Sequence, residues 1–211
     1  GADMLLGREC LGLEDAAAGG PSRRAAALRT SEGPIRADRF VLCLGVSSDT
    51  YFPHVPIWGV IREYRLEGGK GGLFGTEDML MVSLPKPAPG EQSYICVVET
   101  DGQRTVRLGG GAIAGGAQPP VDAFGGIPHR VQGLGEPLRD WVGCRAVSAD
   151  GAPIVGPLPG YANVHVNCGH SFWGWTLSFG CARVLAEHLV EGRPIPETFD
   201  PARFVFRAHA G

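Results

Sequence analysis

The chain has 211 residues, enough for one or two domains with a buried core, and its 44% apolar and 19% charged residues are typical of a globular protein. A formal net charge of −3 excludes the strongly basic balance of nucleic-acid-binding proteins, so no nucleic acid is expected as a partner. The sequence contains no run of about 18 apolar residues, and we therefore predict no transmembrane segment.

Cysteine spacing excludes two further classes of protein. The six cysteines are Cys10, Cys43, Cys96, Cys144, Cys168 and Cys181. They form no CxxC pair, so neither a metal site nor a small disulfide scaffold is predicted. Most of them lie inside apolar stretches, where we expect small buried thiols. This usage predicts an intracellular, reducing compartment, either the cytoplasm or an organellar matrix.

The first 50 residues are predicted to form short strands joined by turns. The predicted strands lie at residues 4–6, 9–13 and 25–29, and a turn follows at 31–34. Residues 39–45 contain the continuous apolar run 40–44 and end in glycine, which is typical of a strand covered on both faces.

Residues 51–140 alternate short β-like runs with Gly/Pro turns, which predicts an antiparallel sheet. The runs are at 57–64, 79–84, 94–98 and 105–108. Residues 109–114, Gly-Gly-Gly-Ala-Ile-Ala, loosely fit the dinucleotide-binding motif G-x-G-x-x-A. That motif requires a following helix, and more Gly and Pro follow here instead. We therefore interpret this stretch as a strand end or a β-bulge.

The last third of the chain predicts two strands and one helix. Strands are expected at 152–156 and 164–167 around a turn, and apolar residues at three- and four-residue spacing predict a helix over 172–190. Gly192 and Pro194 should end it, and residues 195–206 should pack as an arm. Two segments of one kind thus flank a β-rich insertion.

Three spaced motifs carry a resemblance to a known family. They are Trp-Val-Gly-Cys-Arg at 141–145, Asp-Gly-Ala-Pro-Ile-Val-Gly at 150–156, and Gly-His-Ser-Phe-Trp-Gly-Trp-Thr at 169–176. In this order they resemble the C-terminal signature of the FAD-dependent D-amino-acid dehydrogenase and glycine oxidase family, of the D-amino-acid oxidase type. Residues 37–47 resemble the family's strand that ends near the flavin, and residues 56–59 the start of its substrate domain.

The resemblance implies a mixed α/β fold in two parts. Residues 1–50 and 141–211 would form the C-terminal part of an FAD-binding domain, and residues 51–140 an antiparallel-sheet lobe that binds substrate. The implied reaction is the oxidation of a C–N bond in a D-amino acid, glycine or a secondary amine, with FAD as hydride acceptor. No general base at the reacting carbon is implied.

The same resemblance implies roles for particular residues. Arg145 would bind the substrate carboxylate, since a guanidinium matches it with two parallel hydrogen bonds. The cofactor-binding residues would be Cys10, Gly45, Gly169, His170, Ser171, Phe172, Trp173 and Gly174. A helix start near residue 171 would present unpaired amides and positive charge to a reduced, anionic ring.

Each role has a simpler alternative. Gly169 and Ser171 could form only a tight turn and N-cap, and Arg145 only a structural ion pair. His170 could be a packed histidine, and Cys10 a buried cysteine without a role. Trp173 could pack in the core together with Trp175. Ala146 also departs from the family pattern, which has proline there.

The strand, G-x-G-x-x-G turn and helix that hold the FAD pyrophosphate in this family are absent from the sequence. The chain alone is therefore expected to be inactive. It would be a fragment, or one half of an enzyme whose N-terminal FAD-binding half comes from a second chain. The alternative is a non-catalytic scaffold or assembly subunit derived from such an oxidoreductase.

A serine hydrolase is a remote alternative. Ser171 follows a predicted strand and precedes a helix, and Asp200 and His209 follow in the order serine, acid, histidine. The G-x-S-x-G motif requires glycine at position 173, where this chain has tryptophan.

Overall fold

The computed structural model describes residues 2–16, 22–66, 81–84, 93–100, 103–124 and 134–204. In chain order the strands and the helix are β1 (Cys10–Asp15), β2 (Ala25–Thr30), β3 (Gly33–Ile35), β4 (Phe40–Leu42), β5 (His54–Leu66), β6 (Met81–Leu84), β7 (Ser93–Thr100), β8 (Gln103–Ala114), β9 (Leu134–Ser148), β10 (Ile154–Pro157), β11 (Val164–Cys168) and α1 (Gly174–Glu191). Short 3-10 turns lie at Gly45–Thr50, Val121–Phe124, Ser171–Trp173 and Pro201–Phe204. The elements confirm the predicted mixed α/β class.

The chain divides into two units, and β5 and β9 each begin in one and end in the other. The first unit comprises residues 1–54 and 146–211, and the second comprises residues 55–145. Within the described residues, no helix combines the length and the apolar character that crossing a membrane requires.

The first unit contains two three-stranded sheets. One is antiparallel, in the order β1-β2-β3, and the other has the order β10-β11-β4. In the second sheet β10 pairs antiparallel with β11, whereas β4 runs parallel to β11, with Leu42 opposite Val166. Parallel neighbours end at the same edge of a sheet, so the loops after β4 and β11 leave from one edge.

The core of the first unit lies around β4 and β11. Its buried apolar residues are Ala25, Phe40, Leu42, Phe52, Ile154, Leu158, Val164, Val166 and Cys168. Helix α1 begins near the predicted position and packs Cys181 and Leu185 against Val155 of β10. It ends as predicted at Gly192, whose φ of 70° places it in the left-handed conformation that glycine adopts at helix ends.

Asn163 ties three segments of the first unit together. Its side chain is almost completely buried; Oδ1 accepts from the Ala25 N–H at 2.9 Å, and Nδ2 donates to the carbonyl oxygens of Ala25 at 2.9 Å and Asp38 at 3.1 Å. A buried amide with these partners fixes the chain before β4 against β2.

Two predictions about strands of the first unit are wrong, whereas the prediction for the tail is confirmed where it can be compared. Residues 4–6 form no strand, since no strand of the described chain pairs with them, and their side chains are exposed. Strand β4 is not covered on both faces, because the side chain of Val41, between the buried Phe40 and Leu42, is exposed. The tail packs as predicted up to residue 204, with the Phe199 carbonyl accepting from the Val155 N–H at 2.9 Å. Residues 205 and 206 lie outside the described residues.

The cysteines are less buried than their apolar neighbours predict. Cys168 and Cys181 are buried, Cys144 is half-buried, and Cys10 and Cys43 are exposed free thiols. The side chain of Cys96 lies outside the described residues. The prediction of mostly buried thiols is therefore wrong for Cys10 and Cys43.

The second unit is built on a five-stranded sheet in the order β6-β7-β8-β5-β9, in which β6 pairs antiparallel with β7, β7 with β8, and β8 with β5. Val60, Tyr64, Val106 and Leu108 form its buried apolar cluster. The glycine-rich stretch 109–114 lies within β8, which confirms its interpretation as strand. The register shifts there, with Trp58 opposite Ile113 and Val60 opposite Gly110, so β8 carries one extra residue. Gly111, at a φ of 78°, supplies this β-bulge.

A buried carboxylate joins three strands of this sheet. Glu63 on β5 accepts hydrogen bonds from Thr105 Oγ1 at 2.6 Å, from Arg107 Nε at 3.4 Å and from Arg139 Nε. Both guanidinium groups also lie over the Trp141 ring, at 5.5 and 5.4 Å from its centre. Because of these partners, the pKa of Glu63 is lowered despite the opposing effect of its burial.

Candidate active site

The predicted flavin-binding loop is a tight turn between β11 and α1. Gly169 has a φ of 70°, and Ser171 also has a positive φ, 55°, which is uncommon for a residue with a side chain. A Cβ on Gly169 would lie 3.1 Å from Ile154 Cγ1 and 3.3 Å from His54 Nε2. The position therefore requires glycine both for its conformation and for its space.

The turn and the helix begin without side-chain caps. Residues Ser171–Trp173 form a 3-10 turn closed by a 3.0 Å bond from the Trp173 N–H to the His170 carbonyl, and α1 follows from Gly174. Neither start has a side-chain cap or an acidic residue in its first turn. The alternative that Ser171 serves as a side-chain N-cap is therefore wrong, and no side chain of the described residues caps the first amides of α1.

Buried polar atoms surround this turn. His170 Nε2 and Asn167 Oδ1 are inaccessible and have no hydrogen-bond partner in the described part of the chain. Both ring nitrogens of His54 are inaccessible too, although the main chain of Phe52 interacts with this ring and favours its protonation. Burial lowers the pKa of His170 and outweighs the Phe52 contribution at His54, so both are neutral at pH 7.

These features fit the edge of a flat heterocycle. Buried polar atoms are normally satisfied, and a ring that carries carbonyl and nitrogen groups would supply the missing partners. Gly45 also fits this placement. It follows β4 as Gly169 follows β11, each three residues beyond the paired Leu42 and Val166, and its φ is 57°. In α/β sheets, ligands bind where such strands end.

The other predicted cofactor residues lie in varied surroundings. Gly174 is the first residue of α1, and the side chain of Phe172 is about one-third exposed, at 37%. Trp173 and Trp175 are 60% and 78% exposed, so core packing of both is wrong. Cys10 starts β1 opposite Thr30 and is exposed, which contradicts its interpretation as a buried cysteine.

Arg145 lies in the second unit, on β9. Its guanidinium occupies the space where Gly59 of the adjacent strand β5 lacks a side chain, and a Cβ there would lie 2.6 Å from Arg145 Cζ. Burial raises the pKa of the neighbouring Cys144 thiol, and the positive charge of Arg145 offsets part of this rise. Ala146 continues strand β9, so the departure from proline leaves an unbroken strand.

The structure gives Asp200 a different role from that of a catalytic acid. Its Oδ1 accepts from the Ala202 N–H at 2.8 Å and thereby caps the Pro201–Phe204 turn. His209 lies outside the described residues. The left-handed Ser171 is compatible with a nucleophile turn, but no contact links it to Asp200 in the described chain.

Three residues beside the candidate site residues were not predicted from the sequence. They are His54, Asn167 and Gly59. His54 and Asn167 carry no local pattern that separates them from other polar residues. Gly59 could have been noticed, because a glycine inside a strand often marks a close approach of another group.

Comparison with known proteins identifies the family of this chain. The family model described as FAD dependent oxidoreductase (DAO) matches residues 1–188. A D-amino acid dehydrogenase of Bradyrhizobium diazoefficiens is 31% identical over 81% of this chain and 41% of that protein, and one of Granulibacter bethesdensis is 28% identical over 88% and 44%. The chain thus spans less than half the length of these relatives.

Solved structures share the fold. The chain resembles a glycine oxidase of Geobacillus kaustophilus with a TM-score of 0.62 and 24% identity, covering 97% of this chain and 53% of that one. It also resembles a fructosamine oxidase of Aspergillus fumigatus with a TM-score of 0.62 and 14% identity, covering 90% and 50%. The match of the family model over most of the chain shows that the chain belongs to the family of FAD-dependent oxidoreductases of the DAO type.

Proposed function

We propose that this chain is the C-terminal portion of an FAD-dependent oxidoreductase that oxidises the C–N bond of a D-amino acid, glycine or a secondary amine. The observation that supports it most is the turn at Gly169–Ser171. There, a glycine without room for a side chain, an uncapped helix start and the buried His170 Nε2 occur together. The names of the relatives, D-amino acid dehydrogenases and a glycine oxidase, support the substrate class.

In this proposal the first unit holds the flavin ring. Bound FAD would supply the hydride acceptor for the substrate carbon. The amides at the start of α1 would stabilise negative charge on the ring, and the glycines at positions 45 and 169 would let the backbone approach it. The imidazole of His170, neutral because of its lowered pKa, offers one nitrogen as a hydrogen-bond partner without adding a charge.

The second unit recognises the substrate in this proposal. Arg145 binds the carboxylate through two parallel hydrogen bonds and orients the amino acid for oxidation. The amine is oxidised in its neutral form, and the resulting imino acid is hydrolysed by water. The proposed partners are therefore a small amine or amino acid and a dinucleotide-binding half supplied from outside this chain. The exposed thiols of Cys10 and Cys43 suit a reducing compartment.

Flavin binding tests the first part of the proposal. We expect the purified protein, supplied with FAD, to retain flavin absorbance after gel filtration, alone or together with a dinucleotide-binding half from a relative. A colourless protein under both conditions would contradict the proposal and favour a non-catalytic scaffold.

Arg145→Ala tests the second part. Since a hydrogen bond to a charged group contributes about 1.5–3 kcal/mol, we expect D-alanine to bind at least about tenfold more weakly while flavin content is unchanged. Arg65→Ala is the matched control, because Arg65 is an exposed arginine of the same sheet. Unchanged D-alanine affinity in Arg145→Ala would remove the assignment.

A further inference from the structure

Gly59 is the residue of the second unit whose missing side chain makes room for a charged group. A Cβ built on it would collide with both terminal nitrogens and with Cζ of Arg145, the last at 2.6 Å. Carbon atoms do not approach a guanidinium this closely, so any other residue at position 59 must displace it. Gly59 and Arg145 lie on the neighbouring strands β5 and β9 of one sheet.

The need for glycine at this position is spatial. Gly59 lies opposite the β-bulge of β8, but its own φ is outside the left-handed region, whereas Gly111 in the bulge has a φ of 78°. An alanine could therefore adopt the Gly59 backbone without strain. The atoms that it would displace belong to the flexible end of Arg145, so the fold can accommodate the change while the guanidinium moves.

We infer that Gly59 is a positioning residue, whose lack of a side chain sets the place of the Arg145 guanidinium and thereby selects substrates that carry a carboxylate. This inference rests on the proposed function for the role of Arg145 as carboxylate ligand. The placement of the guanidinium by Gly59 does not depend on it. Two charge-assisted hydrogen bonds to a planar carboxylate tolerate little displacement, so even a methyl group at position 59 should weaken binding.

The experiment compares Gly59→Ala with Gly143→Ala. Gly143 is a matched control, because it is a glycine of strand β9 beside which a Cβ would meet no atom within 4 Å. Dissociation constants for D-alanine, and for ethylamine as the same amine without a carboxylate, are measured by calorimetry in the FAD-loaded protein. We expect Gly59→Ala to weaken D-alanine binding about tenfold, and to leave ethylamine binding and the melting temperature near wild type.

A double-mutant cycle separates positioning from a general structural effect. If Gly59 acts through Arg145, then Gly59→Ala should change D-alanine affinity less than about twofold in an Arg145→Ala background. An equal loss in both backgrounds, or no loss in the single variant while Arg145→Ala itself loses affinity, overturns the inference.

The Cys144 thiol reports the position of the guanidinium without any substrate. The positive charge of Arg145 lowers its pKa, so a displaced guanidinium should slow alkylation of the Cys144 peptide about threefold, measured by mass spectrometry. The same rate in Gly59→Ala and wild type would refute the placement. If wild type fails to bind D-alanine but the Cys144 rate changes as expected, the proposed function fails and the placement by Gly59 stands.

Discussion

Replacement of Glu63 should destabilise the second unit in a pH-dependent way. The carboxylate side chain is only 4% exposed, and its oxygens accept from Thr105, Arg107 and Arg139. Glu63→Ala removes all three interactions and leaves a cavity among β5, β8 and β9. Glu63→Gln keeps the volume and one carbonyl acceptor but removes the charge.

The size of the effect follows from the partners. A hydrogen bond to a charged group contributes about 1.5–3 kcal/mol. Arg139 is 61% exposed, however, so water replaces most of the interaction that its guanidinium loses when the carboxylate is removed. The principal losses are the 2.6 Å bond to Thr105 and the nearby Arg107 charge. We expect Glu63→Ala to cost about 3 kcal/mol, and Glu63→Gln about 1–2 kcal/mol.

Hydrogen exchange of β5 and β8 measures this cost within the second unit, through the opening free energy of its amides. Because the folded state lowers the Glu63 pKa, its stabilisation is complete above the unfolded-state pKa of about 4.3 and is lost as pH falls below that value through the folded pKa. The difference between wild type and Glu63→Ala should therefore shrink between pH 7 and pH 3.5. Glu136→Ala, at an exposed position of β9, is the control. A difference that stays constant or grows in acid would refute the reasoning.

Three further changes probe the first unit. Asn163→Ala removes three hydrogen bonds of a buried amide, so the free energy of unfolding, measured with urea, should fall by about 3 kcal/mol. A fall of less than about 1 kcal/mol would contradict the role of Asn163 in holding the chain before β4 against β2. Gly169→Ala forces a Cβ into a left-handed position 3.1 Å from Ile154, so it should cost about 1–2 kcal/mol and reduce retained flavin absorbance; full retention would argue against the proposed ring site. Trp175→Ser should change the unfolding free energy by less than about 0.5 kcal/mol, since the indole is 78% exposed, and should lower the binding of a hydrophobic dye; a loss of several kcal/mol would show that the ring is buried in solution.

Local patterns were sufficient where one segment decides its own conformation. The spacing of Leu177, Cys181 and Leu185, with Gly192 behind them, predicted α1 and its end, because a helix closes its hydrogen bonds within itself. The glycine-rich stretch of β8 was likewise recognisable as strand, since no helix could follow it. The motif spacing also sufficed for the family, because each motif lies in one short stretch of chain.

Contacts between distant segments could not be predicted in this way. Strand β4 has the composition of a strand covered on both faces, yet the exposure of its side chains depends on which elements pack on those faces, and Val41 is exposed. The alternative that Trp173 and Trp175 both pack in the core was wrong for the same reason, since an aromatic residue is buried only if another element covers it.

The sequence by itself determined the family, the helix and the antiparallel character of the middle segment, and it singled out the turn at Gly169 and the strand residue Arg145 as candidates. Only the tertiary structure brought His54 beside Gly169, and the guanidinium of Arg145 against Gly59. These pairs are 115 and 86 residues apart in the printed sequence. Contacts between segments so far apart depend on how the strands pair and pack, and not on any local preference.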